Sequence, residues 1–445
     1  MNRARYCVLS GDFMCFVPSL RAACYSSGER TFAAMRISRR SFCSNTALAL
    51  LSPSFLCGQA RPVAPGSSSA RADVAAIDHD RILAAANRFL AQAPAPLSAI
   101  PAPGSPGTPQ EFYSEAESSA QKSPPFTGHS DALLNFSIQV PALTAAFVLT
   151  GDPRYADHAI RHLRAWFIDP AQRMTPSLAY AQLVPGTTAS RFQGVLETVH
   201  LAEVAQAVSF LVRSESLAAE DLTALYAWFA AYLEWLGTAR VALLARDQRD
   251  HHGVSWLLQA AAFARLAPQP TGGTRKVPVP AAQAEAPPPN EIIGLTQLRH
   301  QYRTMTIRAQ IVADGSFPRE IASPLPYRNS LFTLDMLAGI CDLLSTRFES
   351  AWEYELQDGP GMRVAVAHHF PYIVSRGSWP YRADGNRFTV LPLRQPSLLL
   401  AGRAYSRPEY VDLWKTLTPD PPDIVLQRTF PIRQPLLWVR RAPAL

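Results

Sequence analysis

The sequence predicts an all-α protein of paired helices, either a helical toroid or an α-solenoid. From Asp131 onward, apolar residues recur at helical spacing in segments of roughly 15 residues. Breaks such as Gly151-Asp152-Pro153 separate these segments. No repeat of fixed period is visible, which disfavours a repeat array and favours the toroid.

The individual helices follow from the positions of the apolar side chains. A short helix is predicted over residues 78–92, where Ile82 and Ala86 share one face. Alternating β patterns are scarce, and only residues 388–393 and 424–428 are candidates for a short pair of strands. The longer predicted helices are 131–149, 153–167, 193–212, 218–236, 254–266, 291–312 and 330–344.

Residues 1–60 are typical of an export leader. Arg39-Arg40 stand in a twin-arginine pattern, an apolar run follows over 46–56, and small residues near Ala60 suit cleavage. The apolar run is shorter than the roughly 20 residues of a membrane span. Met35 lies at the usual distance upstream, so residues 1–34 are an additional leader or a mis-assigned start. We expect export to the periplasm and no membrane attachment after cleavage.

The charge distribution argues against nucleic acid as a partner. The chain carries a formal charge of +7, from 42 basic and 35 acidic residues. Residues 1–60 contain seven arginines and two acids, so the remainder holds 35 basic and 33 acidic residues. A nearly balanced mature chain lacks the excess of cations that nucleic-acid binding requires. With 48% hydrophobic and 17% charged residues, it can form a large core.

Five of the six cysteines lie within the predicted leader. The mature chain keeps only Cys341, in an apolar segment, so no internal disulfide can form. A single cysteine in such a setting is typical of a small core residue.

Three regions follow along the chain. Residues 61–110 are a linker containing the short helix, and residues 111–440 form the main helical domain. Residues 267–289 contain seven prolines and predict a surface insertion between two helices.

Four polar segments interrupt the apolar pattern and are candidates for a functional site. Adjacent histidines, His251 and His252, stand where a helix is predicted to begin, and imidazoles suit proton transfer near neutral pH. The other three segments are 126–135, 173–197 and 314–329.

The order and spacing of motifs in these segments resemble a known family. In chain order they are Trp166-Phe167 with Arg173-Met174-Thr175-Pro176, Tyr180-Ala181-Gln182 with Gly186, Asp250-His251-His252-Gly253, Asp314-Gly315-Ser316-Phe317-Pro318-Arg319-Glu320, and Pro326-Tyr327 with Ser330-Leu331-Phe332-Thr333-Leu334-Asp335. They are similar to WF…RMNP, YAQ…G, NNHG, DGSQPxE and PYGYSLFNLD of the alginate lyase superfamily. That family is built on an incomplete α/α toroid of helical hairpins, and the resemblance covers about residues 110–440.

The resemblance implies β-elimination on a uronic-acid polysaccharide, an anionic partner, with no cofactor. In such a reaction the sugar carboxylate is neutralised, a base removes the C5 proton, and an acid protonates the departing oxygen. By motif position, His252 is expected to be the base or the group that holds the carboxylate. His251 replaces a neutralising Asn, and Tyr327 is the candidate for proton transfer to the leaving oxygen. Asp250 can instead orient an imidazole.

The resemblance also places departures from the family pattern in the predicted site. Asn329 replaces the second tyrosine of the last motif, and Ser323 replaces a frequent arginine, for which Arg319 and Arg328 are nearby substitutes. The residues predicted to bind substrate are His129, Asn135, Gln182, Arg191, Arg319, Arg328 and Asn329.

Structural roles are open for several of these residues. His251 and His252 can simply cap a helix, and His129, Asn135 and Gln182 can be hydrogen-bonded within the core. Tyr327 can pack against Phe332, and Arg191 can pair with Glu197. No third ligand with telling spacing accompanies the two histidines, so a metal site is not predicted.

Two other functions compete with the lyase. One is a glycoside hydrolase on a similar toroid, with carboxylates such as Glu197 and Asp250 as acid and base. The other is a polyuronate-binding protein that kept the groove and lost the chemistry. The sequence does not indicate an oligomeric state.

Overall fold

The computed structural model describes residues 72–117, 123–184, 187, 190–266 and 293–440. The predicted leader at 1–60 and the proline-rich insertion at 267–289 lie outside these residues. All of the described residues belong to the second of two compact units, which spans Pro65–Leu445.

Seventeen α-helices form most of the described chain. Their bounds are α1 Val74–Ile77, α2 His79–Leu90, α3 Gly128–Thr150, α4 Pro153–Leu163, α5 Leu201–Leu211, α6 Ala219–Thr238, α7 Arg240–Arg246, α8 His251–Leu266, α9 Leu295–Gln301, α10 Ile307–Gln310, α11 Pro318–Ile321, α12 Pro326–Leu344, α13 Met362–Val374, α14 Pro396–Ala404, α15 Pro408–Thr416, α16 Ile424–Arg428 and α17 Pro435–Val439.

The helices pack as neighbouring pairs, which confirms the predicted all-α toroid. α3 packs on α4 and α5, α5 on α8, α8 on α12, α12 on α14, and α14 on α15. α8 and α12 are buried over most of their lengths, since their apolar residues face neighbours on several sides. The start of α8 and the start of α12 both border the candidate site.

Most predicted helices are confirmed, with local differences. The segment 153–167 continues from α4 into a π-turn at Arg164–Ile168, and 291–312 contains another at Tyr302–Thr306. The segment 193–212 is a 3₁₀ helix at Phe192–Thr198 followed by α5.

The boundary between α3 and α4 falls at the helix-breaking residues of the sequence. Gly151 terminates α3 with φ of 75°, a left-handed conformation that glycine adopts without strain. The Asp152 side chain then accepts a hydrogen bond from the Arg154 amide, and Pro153 occupies the first turn of α4.

The predicted C-terminal strands are wrong. Residues 424–428 form α16, where the Asp423 side chain caps the Leu426 amide, and Phe388 lies in a 3₁₀ helix at Gly385–Thr389. Local capping therefore outweighs the alternating pattern. The strands observed in the described residues are β1 (Tyr113–Glu115) and β2 (Tyr180–Leu183), which pair in parallel.

The described part of the predicted linker belongs to the helical body. α2 packs on α3, and Ile82, Ala86 and Leu97 are fully buried. By length and composition α3 could cross a membrane, but most of it is covered by other helices, as in the central helix of a packed domain.

Candidate active site

The candidate site is a cavity of about 300 Å³ between the starts of α8 and α12. It unites segments that are far apart in the chain and carries titratable groups on two walls. Its lining comprises Ser130, Leu134, Gln182, Gln193, Leu196, Glu197, His200, His251, His252, Arg328, Asn329, Phe332, Arg428 and Thr429. The predicted residues Gln182, His251, His252, Arg328 and Asn329 therefore share one cavity.

The two histidines are the first residues of α8, each held by its own carboxylate. The Asp250 Oδ1 accepts hydrogen bonds from the His252 amide at 3.0 Å and from its Nδ1 at 2.9 Å. Glu320 accepts from the His251 amide at 2.6 Å and from its Nδ1 at 2.9 Å. This confirms the alternative in which Asp250 orients an imidazole.

The rings lie close together, with their centroids 4.3 Å apart. No described residue hydrogen-bonds to either Nε2, and both side chains retain 12–16% of their exposure. Since both Nδ1 atoms are occupied and both residues line the cavity, Nε2 is the ring nitrogen available to a ligand.

The two histidines favour the charged form of the Asp250 carboxylate. Burial acts to raise the pKa of Asp250, but the hydrogen bond from His252 and the charges of both imidazoles outweigh it and lower that pKa. Both carboxylates lie against the N-terminus of α8, where the helix dipole favours negative charge.

Arg328, near the start of α12, supplies an unpaired cation to the same cavity. Within the described residues, its guanidinium forms no salt bridge, and its side-chain hydrogen bonds go to the neighbouring Asn329 Oδ1 at 3.2 and 3.1 Å. Burial lowers the pKa of Arg328, more than the charge of Asp384 raises it. A guanidinium remains charged under these conditions and will favour an anionic ligand.

Asn329 lies in the lining but is occupied by other protein groups. Its amide nitrogen donates to the Ser323 hydroxyl at 3.1 Å, and that hydroxyl donates to the Glu320 carbonyl at 2.6 Å. Asn329 and Ser323, two of the departures from the family motifs, therefore form a chain that positions Arg328.

The remaining wall is a network of paired polar groups. The Gln182 amide donates to Glu197 at 2.6 Å, and Arg428 pairs with Glu197 at 3.5 Å and with Asp131 at 2.6 Å. Gln182 has φ of 52°, an uncommon backbone conformation for a residue other than glycine. Gln193 is the exception in this wall, because its buried Oε1 has no hydrogen-bond partner within the described structure.

The structure places Tyr327 outside the cavity lining. Its phenol is fully buried, lies outside the cavity lining, and donates to the Tyr372 carbonyl at 2.9 Å. Burial raises the pKa of Tyr327, and the ring packs against Trp379 and Phe388, not against Phe332 as the packing alternative proposed. The side chain is therefore a core residue in this conformation.

Two predicted binding residues lie away from the cavity. His129 is buried, accepts a hydrogen bond from the Tyr113 amide at 3.0 Å, and contacts the Ile100 carbonyl at 3.2 Å. Burial lowers the pKa of His129, which fits a neutral structural imidazole. Asn135 is exposed and borders a separate cavity beside α2.

The other two arginines predicted to bind substrate, Arg191 and Arg319, also lie away from the cavity. Arg191 and Arg319 are exposed and absent from the cavity lining. Arg191 does not pair with Glu197, whose described cationic partner is Arg428.

Sequence reasoning missed Glu320, His200, Gln193 and Arg428 as parts of the site. Glu320 is the last residue of a quoted motif, so its motif position was a usable signal. Burial, followed by the charge of Arg433, lowers the pKa of His200 to about 3 and keeps its imidazole neutral.

Asp250, His251 and His252 are also the one group in the described structure identified as able to hold a metal ion. One ligand atom from each lies within 4.8 Å of the others. The two Nδ1 atoms are already hydrogen-bonded to carboxylates, so any metal would have to use Nε2.

The all-α toroid around this cavity is the fold of a polysaccharide lyase. The chain belongs to the alginate lyase family, whose model matches residues 71–271 and 293–379. A solved relative in fold is an alginate lyase from Bacteroides ovatus, with a TM-score of 0.65 and 20% sequence identity. The alignment covers 79% of this chain and 92% of that chain. No curated protein matches the sequence.

Proposed function

We propose that the protein cleaves an alginate-like polyuronate by β-elimination. The observation that carries this proposal is the unpaired Arg328 guanidinium in the same cavity as two carboxylate-held imidazoles. Family membership and the fold shared with the Bacteroides ovatus enzyme support it.

In this proposal Arg328 binds the uronate carboxylate. The C5 proton of a uronate is weakly acidic because the neighbouring carboxylate is already negative. A guanidinium held by Asn329 can pair with both carboxylate oxygens and stabilise the enolate-like charge that develops when the proton leaves. Partial exclusion from water strengthens this interaction.

His252 is the base in this proposal. Asp250 holds its Nδ1, which directs Nε2 into the cavity and stabilises the imidazolium that forms after proton removal. The T-shaped contact with Phe192, 5.2 Å between ring centroids, also restrains the ring.

Among the described residues, the contacts of the two carboxylates named for hydrolysis do not favour a hydrolase over a lyase. Glu197 accepts from Gln182 and pairs with Arg428, while Asp250 holds His252. Both carboxylates named for hydrolysis therefore already stabilise cationic or amide partners.

The experiment is an ultraviolet absorbance assay on a panel of polyuronates. Elimination creates a conjugated unsaturated sugar, whereas hydrolysis does not. Wild type should generate absorbance with at least one polymer, and His252→Ala should lose about 100-fold or more of that rate. New reducing ends without absorbance would support the hydrolase, and binding without product would support the binding protein; either would overturn the proposal.

We also propose that the protein acts in the periplasm, from the twin-arginine pattern at Arg39-Arg40. Replacing both with Lys should leave the full-length precursor in the cytoplasm in a fractionation experiment. Unchanged periplasmic accumulation would contradict this route.

A further inference from the structure

The two imidazoles form matched but unequal pairs with their carboxylates. In each pair one carboxylate accepts both the backbone N–H and the Nδ1 of its histidine. The Glu320 side chain is 1% exposed, whereas that of Asp250 is 30% exposed. Water therefore screens the Glu320 charge much less, and Glu320 fixes the His251 ring from within the core.

β-Elimination needs a base for the C5 proton and a proton donor for the departing oxygen. The paired histidines offer a separate group for each step. Tyr327 is buried outside the cavity, and Asn329 has no proton to transfer at neutral pH. His251 is a titratable residue of the same lining, and its ring centroid lies 4.3 Å from that of His252.

We propose that His251 is the general acid of the reaction and that Glu320 is its positioning residue; this assignment rests on the proposed elimination. His252 Nε2 takes the C5 proton, and the electrons of that C–H bond form the C4–C5 double bond. The bond from C4 to the glycosidic oxygen breaks, its electron pair stays on that oxygen, and His251 Nε2–H protonates it. The neighbouring sugar leaves with a hydroxyl at its reducing end.

The rings then exchange roles and must be reset. His252 ends the cycle protonated and His251 neutral. Both side chains remain partly exposed, so solvent can return the proton to His251 and remove it from His252. No oxidant, reductant or external group is consumed.

A substrate with an activated leaving group separates an acid from a base. A nitrophenyl group in place of the sugar at O4 leaves as a stable phenolate and needs no protonation. His251→Asn should lose about 100-fold or more in kcat on the polymer but less than about 10-fold on the nitrophenyl uronate. His252→Ala should lose activity on both substrates. Asn keeps a donor for Glu320, and circular dichroism with thermal melting checks folding of each variant.

Glu320 requires a separate readout because it acts through His251. Glu320→Gln preserves an acceptor oxygen and removes the charge that stabilises the imidazolium. It should slow the polymer reaction more than the nitrophenyl reaction, with KM nearly unchanged. A variant that slowed both reactions equally would show a merely structural role for Glu320.

Three outcomes would overturn the acid assignment. One is an equal loss on both substrates in folded His251→Asn, and another is no loss on either. The third is activity that disappears with a chelator and returns with Zn²⁺, which would assign the two Nε2 atoms to a metal. If wild type forms unsaturated product from neither substrate, the proposed function itself fails and the assignment falls with it.

Discussion

Removing the unpaired guanidinium of Arg328 should lower kcat/KM more than any other single substitution in the part of the cavity that α12 lines. Arg328→Ala deletes a cation whose described side-chain partners are confined to the Asn329 oxygen. A hydrogen bond to a charged group contributes about 1.5–3 kcal/mol. Since about 1.4 kcal/mol corresponds to tenfold, kcat/KM should fall roughly 10- to 150-fold.

The loss should be shared between kcat and KM. The substrate carboxylate is charged before the reaction, so KM should rise, and the charge grows as the C5 proton leaves, so kcat should also fall. Arg328→Lys keeps the charge but loses the planar fork held by Asn329, and its defect should be smaller.

The assay is initial-rate absorbance across a range of polymer concentrations. Arg347→Ala is the matched control, because Arg347 is exposed and follows the far end of α12, roughly 24 Å or more along the helix. A folded Arg328→Ala with kcat/KM within twofold of wild type would refute the role assigned to this cation.

Three further predictions concern the supporting structure. Tyr327→Phe should lower stability by about 1 kcal/mol through the lost bond to the Tyr372 carbonyl, with kcat nearly unchanged; a large kcat loss without a change in Tm would restore a catalytic role. Gly253→Ala should lower Tm by several degrees in a thermal melt, since its Cβ would lie 2.3 Å from the Gln248 carbonyl oxygen, and an unchanged Tm would contradict this contact. Burial raises the pKa of Asp335 to about 7, so the folded state holds a proton that the unfolded chain loses above about pH 4. The stability that this group contributes should therefore fall as the pH rises from about 4 to about 7. In urea unfolding, the stability of Asp335→Asn should depend less on pH over this range than that of wild type. An equally steep decline in the variant would refute the assignment.

The fold was predictable where helical spacing and helix breaks agree. Gly151-Asp152-Pro153 separates α3 from α4 as expected, because each residue has a local structural role. α16 was mistaken for a strand because five residues show too little periodicity to distinguish the two forms. The pairing of β1 with β2 depends on contacts between distant segments and has no local signal.

The site was predictable in part for the same reason. His251, His252, Arg328 and Asn329 were found because motif position survives at low sequence similarity. The position of Tyr327 outside the lining was not predictable, because successive helical residues point about 100° apart and the sequence alone does not show which direction faces the cavity. Arg428 was missed because its segment was interpreted as a strand and its approach to Glu197 is purely tertiary.

The most direct test of the central claim is the mass of the products from a uronate oligosaccharide. Elimination without added water predicts a fragment with an unsaturated non-reducing end that is one water lighter than the corresponding hydrolysis product. This fragment should form with wild type and disappear with His252→Ala. Fragments that all carry the added water, or no fragments from any polyuronate, would contradict elimination at this cavity.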